Sequence, residues 1–184
     1  MMAHVGATIE NPLAGESLTF VATCEDGSET LVCDITTTAG AQGPPEHMHP
    51  SSSELFEVQE GAIMIEAHGV RHTLESGQSL TVQAGVPHKF ASHPELDGRT
   101  RVTFDMPGRI EDQLVTFSEL ARAGRLSADG RPSMQQVAVT FSQLTHDTRA
   151  TIAPWAAQRA IFAVLAPIGR RHGLKPFYAW GELN

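Results

Sequence analysis

The sequence is poor in basic residues and in aromatic side chains. Its 13 lysines and arginines are outnumbered by 21 acidic residues, which gives a formal net charge of −8, and aromatic residues make up only 6% of the chain. Nonspecific affinity for nucleic acid comes mainly from lysine and arginine contacts to phosphate. We therefore expect no nucleic-acid partner.

Cysteine is also scarce, and long apolar runs are nearly absent. Cys24 and Cys33 flank a predicted hairpin turn, where a two-residue loop would not place them opposite each other, so we expect free thiols in a reducing compartment. No amino-terminal segment has the features of a secretory signal, which makes the cytoplasm the expected location. The apolar stretch 152–169 contains Arg159 and two prolines and predicts a packed helix, with no membrane partner.

The first part of the chain has the pattern of short antiparallel strands. Apolar and polar residues alternate in short runs, separated by glycine-containing turns such as Asp26-Gly27 and Glu60-Gly61. Strands so numerous need a sandwich or a barrel to protect their edges. The candidate strands are 17–24, 30–37, 54–60, 62–67, 70–75, 79–83, 87–92 and 99–106.

After Pro107 the period of the apolar residues changes to that of helices. The pattern predicts a first helix between Ser118 and Gly124, a second over 132–148 and a third over 154–171. We therefore predict a β-domain over residues 1–107 and a helical extension over 108–184, packed on that domain or on a second copy of the chain.

The segment HMHPSSSE, residues 47–54, holds three good metal ligands. On extended backbone the side chains of His47 and His49 point the same way. Glu54 shares a strand face with Phe56 and Val58, so an interior lined by those two would also hold its carboxylate. A lone buried carboxylate is costly, whereas one bound to a cation is compensated. Further on, His88 follows the Gly85 turn at the head of a strand, where its side chain can return to the same interior.

These residues resemble the two signatures of the cupin superfamily. The first signature, HxH, four residues, E, six residues and G, is matched by His47, His49, Glu54 and Gly61. The second is matched in part, with Gly77, Gly85 and His88 in place. Gln83 stands where the family usually has proline, and Ser92 stands where it usually has asparagine.

The resemblance covers roughly residues 17–106 and implies a mainly β fold, a jelly-roll β-barrel followed by a C-terminal α-helical extension, as in small bacterial cupins. It also implies a divalent metal held by His47, His49, Glu54 and His88. Three nitrogens and one carboxylate suit iron, manganese, nickel, copper or zinc without choosing among them. Small cupins commonly pair, so the resemblance further implies a homodimer.

Three functional hypotheses follow. The first is a metal-dependent oxidoreductase of the dioxygenase type that acts on a small aromatic or polyphenol-like molecule. The second is a metal-dependent isomerase or hydrolase-type enzyme that acts on a sugar or keto compound. The third is a non-catalytic module that binds a small-molecule ligand. No pairing of nucleophile and base is evident in the sequence, so the catalytic residues stay unassigned.

Overall fold

The computed structural model describes residues 3–11, 15–127 and 130–183, and these residues form ten strands and three helices. The strands are β1 (Thr8–Asn11), β2 (Glu16–Ala22), β3 (Leu31–Thr37), β4 (His47–Met48), β5 (Glu54–Ala67), β6 (Val70–Glu75), β7 (Ser79–Val82), β8 (His88–Ser92), β9 (Gly98–Phe104) and β10 (Arg149–Ala150). The helices are α1 (Ile110–Arg122), α2 (Met134–Phe141) and α3 (Trp155–Arg171).

The strands form two antiparallel sheets that share one core. The first sheet contains β1, β2, β3, β9, β7 and the first half of β5, and the second contains β6, β8, β4, β10 and the second half of β5. Buried apolar residues from both sheets, including Phe20, Leu31, Phe56, Ile65 and Phe90, belong to one cluster. The predicted jelly-roll is confirmed, although its strands follow an open path and do not close into a continuous ring.

Strand β5 connects the two sheets and changes register where it passes between them. In its first half the inward residues are Glu54, Phe56 and Val58, whereas in its second half they are Ile63 and Ile65. The pairing with β9 is interrupted between Val58 and Glu60, as expected at a β-bulge. One extra residue moves every later side chain to the opposite face, so both halves of β5 face the common core.

Gly61 lies just after this bulge and is the glycine at the end of the first signature. Its φ of +67° is a left-handed conformation, and a Cβ at this position would overlap the backbone carbonyl oxygen of Asp97. Only glycine meets both conditions. The sequence predicted a turn here between two separate strands, which is wrong, because β5 continues through this position. A glycine inside a strand has the same sequence signature as a glycine in a turn.

The helical extension is joined to the sheets at several points. Helix α1 packs against β1, and α2 packs against α3 around a small apolar cluster that contains Val139 and Phe162. Strand β10, which lies between α2 and α3, pairs with β4 in the second sheet. The proposed division between residues 107 and 108 stays a prediction, and so does the homodimer, although Val164 of α3 is 62% exposed.

Two helix boundaries differ from the sequence prediction. Helix α1 begins at Ile110, eight residues before the predicted start, because Glu111, Asp112 and Thr116 are buried polar residues that interrupt its apolar stripe. Helix α2 ends at Phe141, and successive turns lead from there to β10 in place of the predicted helix to residue 148. The third helix is confirmed within one residue of its predicted start. Both cysteines are free, as expected.

Among the described residues, no helix combines the length and the apolar character that crossing a membrane requires.

We predict that the close approach of the Asp97 carbonyl makes Gly61→Ala much more destabilising than Gly77→Ala. Both glycines have positive φ, but a Cβ at Gly77 meets nothing within 4 Å. Left-handed strain alone should cost about 1 kcal/mol at Gly77, and the added overlap should bring the loss at Gly61 to about 3 kcal/mol. Urea unfolding of the two variants measures this difference. Equal losses of unfolding free energy would show that the Asp97 carbonyl does not constrain Gly61.

Glu16, the first residue of β2, carries a carboxyl group that is poorly compensated. Its Oε1 atom is buried and has no hydrogen-bond partner among the described residues. Burial raises the pKa of Glu16 to about 7, because transfer out of water penalises the ionised form. The folded protein therefore holds a proton that the unfolded chain releases near pH 4.5.

We predict that Glu16→Gln stabilises the protein at pH 8 and has little effect below pH 5. Because the pKa is raised on folding, the wild-type protein loses stability as pH rises from about 4.5 to about 7, and the amide lacks this loss. The gain at pH 8 should be roughly 1–2 kcal/mol after allowance for partial exposure. Denaturant unfolding across this pH range measures it, and a gain independent of pH would contradict the assignment.

Candidate metal site

His47 and His49 lie at the end of the second sheet, on the short strand β4 and directly after it. Residue His47 pairs with His88 of β8 on one side and with Ala150 of β10 on the other. The backbone carbonyl of His49 accepts a hydrogen bond from the amide of Gly85 at 2.8 Å, which ties the turn before β8 to the histidine segment. Extended backbone explains why both imidazoles project toward the interior.

Glu54 and His88 reach the same point from different sheets. Glu54 is the first residue of β5 and pairs with Phe104 and Val82 in the first sheet. His88 is the first residue of β8 in the second sheet. Since the two sheets face each other across one core, the ends of these strands bring a carboxylate and an imidazole together.

The four predicted ligands converge. One ligand atom from each of His47, His49, Glu54 and His88 lies within 4.8 Å of all the others. The Nε2 atom of His88 is 2.7 Å from Oε2 of Glu54, and Nε2 of His49 is 3.6 Å from the same oxygen. His49, Glu54 and His88 are buried, whereas His47 is partly exposed. His47 is therefore the member of the cluster closest to solvent.

Each imidazole is oriented by a backbone carbonyl. The Nδ1 atoms of His47, His49 and His88 lie 2.9, 2.8 and 2.9 Å from the carbonyl oxygens of Pro45, Asp147 and Val86. A carbonyl oxygen only accepts hydrogen bonds, so each Nδ1 carries the proton and donates it. The three Nε2 atoms are then the nitrogens that face the cluster, as a metal site requires.

The electrostatics separate the histidines into two kinds. Burial, together with the neighbouring imidazoles, lowers the pKa of His47 to about 4, and burial lowers the pKa of His49. Burial also opposes the charged form of His88, but its hydrogen bond to Glu54 outweighs this and raises its pKa. The pKa of Glu54 is lowered because the bond from His88 and the nearby imidazoles outweigh burial. Two imidazoles are thus neutral, and the third shares a proton with the carboxylate.

These residues fit a divalent transition metal. Three imidazole nitrogens and one carboxylate oxygen are ligands typical of iron, manganese, nickel, copper and zinc sites. A cation would also compensate the negative charge of Glu54, whose side chain is almost fully buried. The donor set alone does not choose the metal.

The sequence located the four residues of the cluster and missed the groups that support it. Glu57 lies on the exposed face of β5, opposite to the face that carries Glu54. The missing contributors are the carbonyl of Asp147 and the hydroxyl of Thr148, which lie 2.8 and 3.3 Å from Nδ1 of His49. A backbone carbonyl leaves no signal in the sequence, and the segment was predicted as the end of a helix.

Glu46 accepts a hydrogen bond from the hydroxyl of Thr151. It therefore links the histidine segment to the extension.

We predict that His47 and His49 are neutral and protonated at Nδ1 in the metal-free protein at pH 7. The carbonyl acceptors fix the tautomer, and burial keeps both rings uncharged. Two-dimensional ¹H–¹⁵N spectra of the ring nitrogens distinguish the two tautomers and the imidazolium. The exposed ring of His68 serves as an internal reference. Protonation of His47 at Nε2 would contradict the orientation described above.

One family model matches the strand-rich part of the chain. Residues 34–104 match the family described as "Cupin domain". The chain is 43% identical over 56 residues to "Probable oxidoreductase patJ" of Aspergillus clavatus, a match covering 29% of this chain and 17% of that protein. It is 44% identical over 57 residues to "Probable oxidoreductase virH" of Hypocrea virens, covering 30% and 26%. The matches therefore span about a quarter or less of these relatives.

Among solved structures, an RmlC-like cupin from Shewanella frigidimarina is 27% identical, with a TM-score of 0.45. The match covers 52% of this chain and 80% of that protein. The similarity to cupins is thus carried by residues 34–104, the part of the chain that the family model matches.

Proposed function

We propose that the chain is a metal-dependent oxidoreductase, dioxygenase-like in its chemistry, that acts on a small aromatic molecule. The observation that carries the proposal is the arrangement of His47, His49 and His88. Their three Nε2 atoms face one point beside Glu54, and a carbonyl behind each ring holds it in place. Such preorganised ligands bind a cation without having to reorder the buried site.

The protein residues would hold the cation and compensate its charge. Neutral His47 and His49 offer nitrogen lone pairs, and the hydrogen bonds from their Nδ1 atoms make those lone pairs more basic. Glu54 offers a negative oxygen. When bound, a redox-active divalent metal supplies the one-electron chemistry through which dioxygen reacts with an organic molecule.

The hydrogen bond between Glu54 and His88 affects how the site would bind a cation. At 2.7 Å the carboxylate and Nε2 of His88 share one proton, which stabilises the pair inside the protein. That proton would have to leave for the pair to hold a cation, because the same lone pairs are needed for both. Before a cation binds, the hydrogen bond therefore keeps the two side chains together and compensates the charge of the carboxylate.

The walls of the site favour an apolar substrate. The ring of Phe104 meets His49 edge-on with 5.3 Å between centroids, and Phe56 lies 6.4 Å from His88 in a similar geometry. Apolar walls around the ligands exclude water and strengthen electrostatic interactions inside. Together with the partial exposure of His47, they support a small aromatic molecule that approaches from that side.

The relatives named as oxidoreductases support the same class of reaction, within the limits of the short segments that match. The proposed location remains the cytoplasm, and the proposed partner is the small-molecule substrate itself.

We predict that Glu54→Gln weakens metal binding by about 10-fold or more and abolishes metal-dependent oxygen uptake. The amide is neutral, so it neither compensates the cation nor shares the proton with His88. The matched control is Glu57→Gln, on the exposed face of the same strand, which should behave as the wild type. Metal content after dialysis, together with oxygen consumption on a panel of phenols and catechols, measures both effects.

The metal distinguishes this proposal from its alternatives. Oxygen uptake with iron, manganese, nickel or copper, lost in Glu54→Gln, supports the oxidoreductase. Tight binding of zinc with turnover of a sugar or keto compound and no oxygen uptake supports the isomerase instead. A wild-type protein that retains no ion on dialysis contradicts the metal site and leaves the small-molecule-binding module.

A further inference from the structure

The segment 145–151, here named the strap, runs from the end of α2 to the start of α3 alongside the histidine segment. Its β10 residues pair with β4, with Arg149 opposite Met48 and Ala150 opposite His47. The amide of Thr151 donates to the carbonyl of Glu46 at 3.2 Å. The strap therefore lies directly beside the residues that present two of the imidazoles.

One of the three imidazoles depends on the strap for its orientation. His47 and His88 donate to carbonyls two residues earlier in the chain, so their acceptors come from local backbone. His49 instead donates to the carbonyl of Asp147, 98 residues away. The orientation of His49 is thus set by tertiary structure, and it is correct only while the strap is docked.

The strap is held in place from both sides. On the side of α1, the carboxylate of Asp147 accepts a hydrogen bond from the amide of Arg109 at 3.2 Å, and a Cβ on Gly108 would overlap that carboxylate. On the side of α3, Gln158 donates from Nε2 to the carbonyls of Ala150 and Ala153 at 2.8 and 2.7 Å. Gln158 is only 5% exposed, so these bonds are protected from competing water.

We propose that the helical extension contributes to the metal site, because its docked strap positions His49 for metal binding. The inference rests on the metal-binding part of the proposed function. If docking of the strap favours binding of the cation, then binding of the cation must favour docking by the same factor. Asp147 is a positioning residue, because it acts only through His49.

The test compares two buried glutamines that both donate hydrogen bonds but contact different segments. Gln158→Met removes both bonds that Gln158 donates, one of which holds Ala150 of the strap. The control, Gln136→Met, removes two donated bonds of a side chain that is 2% exposed, but those bonds tie α2 to Lys175 and to its own Thr140. Both variants should lose similar stability, since each leaves buried acceptors unpaired.

The affinity for Co²⁺, measured by competition with a chelator, should fall about 10- to 100-fold in Gln158→Met and stay within about 2-fold of the wild type in Gln136→Met. The visible Co²⁺ spectrum should change only in the first variant. Hydrogen exchange of the strap amides in the wild type should slow when Co²⁺ is added. Equal affinities in the two variants, or strap exchange unaffected by Co²⁺, would overturn the proposal.

A second pair covers the case in which Gln158→Met does not fold. Gly108→Ala presses on Asp147, whereas Gly124→Ala imposes a similar left-handed strain with nothing within 4 Å of the new Cβ. The ¹⁵N shift of Nδ1 of His49 in the metal-free protein should move in the first variant only, with His47 unchanged. This readout needs no metal, so it separates failure of the strap from failure of the metal site. Unaltered His49 shifts in Gly108→Ala would overturn the positioning role.

Discussion

The site depends on compensating one carboxylate that the fold has removed from water. Glu54 is 3% exposed, and its only close polar neighbours among the described residues are imidazoles. A buried carboxylate in this position must share a proton or bind a cation, because an isolated charge would be too costly. The need to compensate Glu54 explains which residues face it. Nitrogen donors are needed on the opposite sheet, and three histidines supply them.

The geometry that brings these groups together is set by the path of β5. This strand begins in one sheet at Glu54 and ends in the other beside β8, and its bulge keeps both halves facing inward. Without the change of register between Val58 and Glu60, one half of the strand would turn its apolar residues to solvent. The bulge thus contributes to the site from a distance, by keeping one core beneath both sheets.

Much of this arrangement could be predicted from the sequence, because it depends on side chains that recur at regular spacing. Alternation located most strands, and the spacing of His47, His49, Glu54 and His88 located the cluster. The features that could not be predicted depend on backbone groups and not on the type of side chain. The carbonyl of Asp147 has no residue preference, and β10 is two residues long, too short to show a period. The early start of α1 was hidden by Glu111 and Asp112, polar residues that the structure buries.

Strand β10 also closes one margin of the second sheet. An exposed edge beside β4 would offer free amide and carbonyl groups to an extended segment of another chain, which is how sheets recruit foreign strands. Here that margin is covered by a two-residue strand whose neighbouring segments turn away into helices, and so short a strand is a poor template for further pairing. The strand that bears His47 therefore lies between β8 and β10, so neither of its sides is left as a template for another chain.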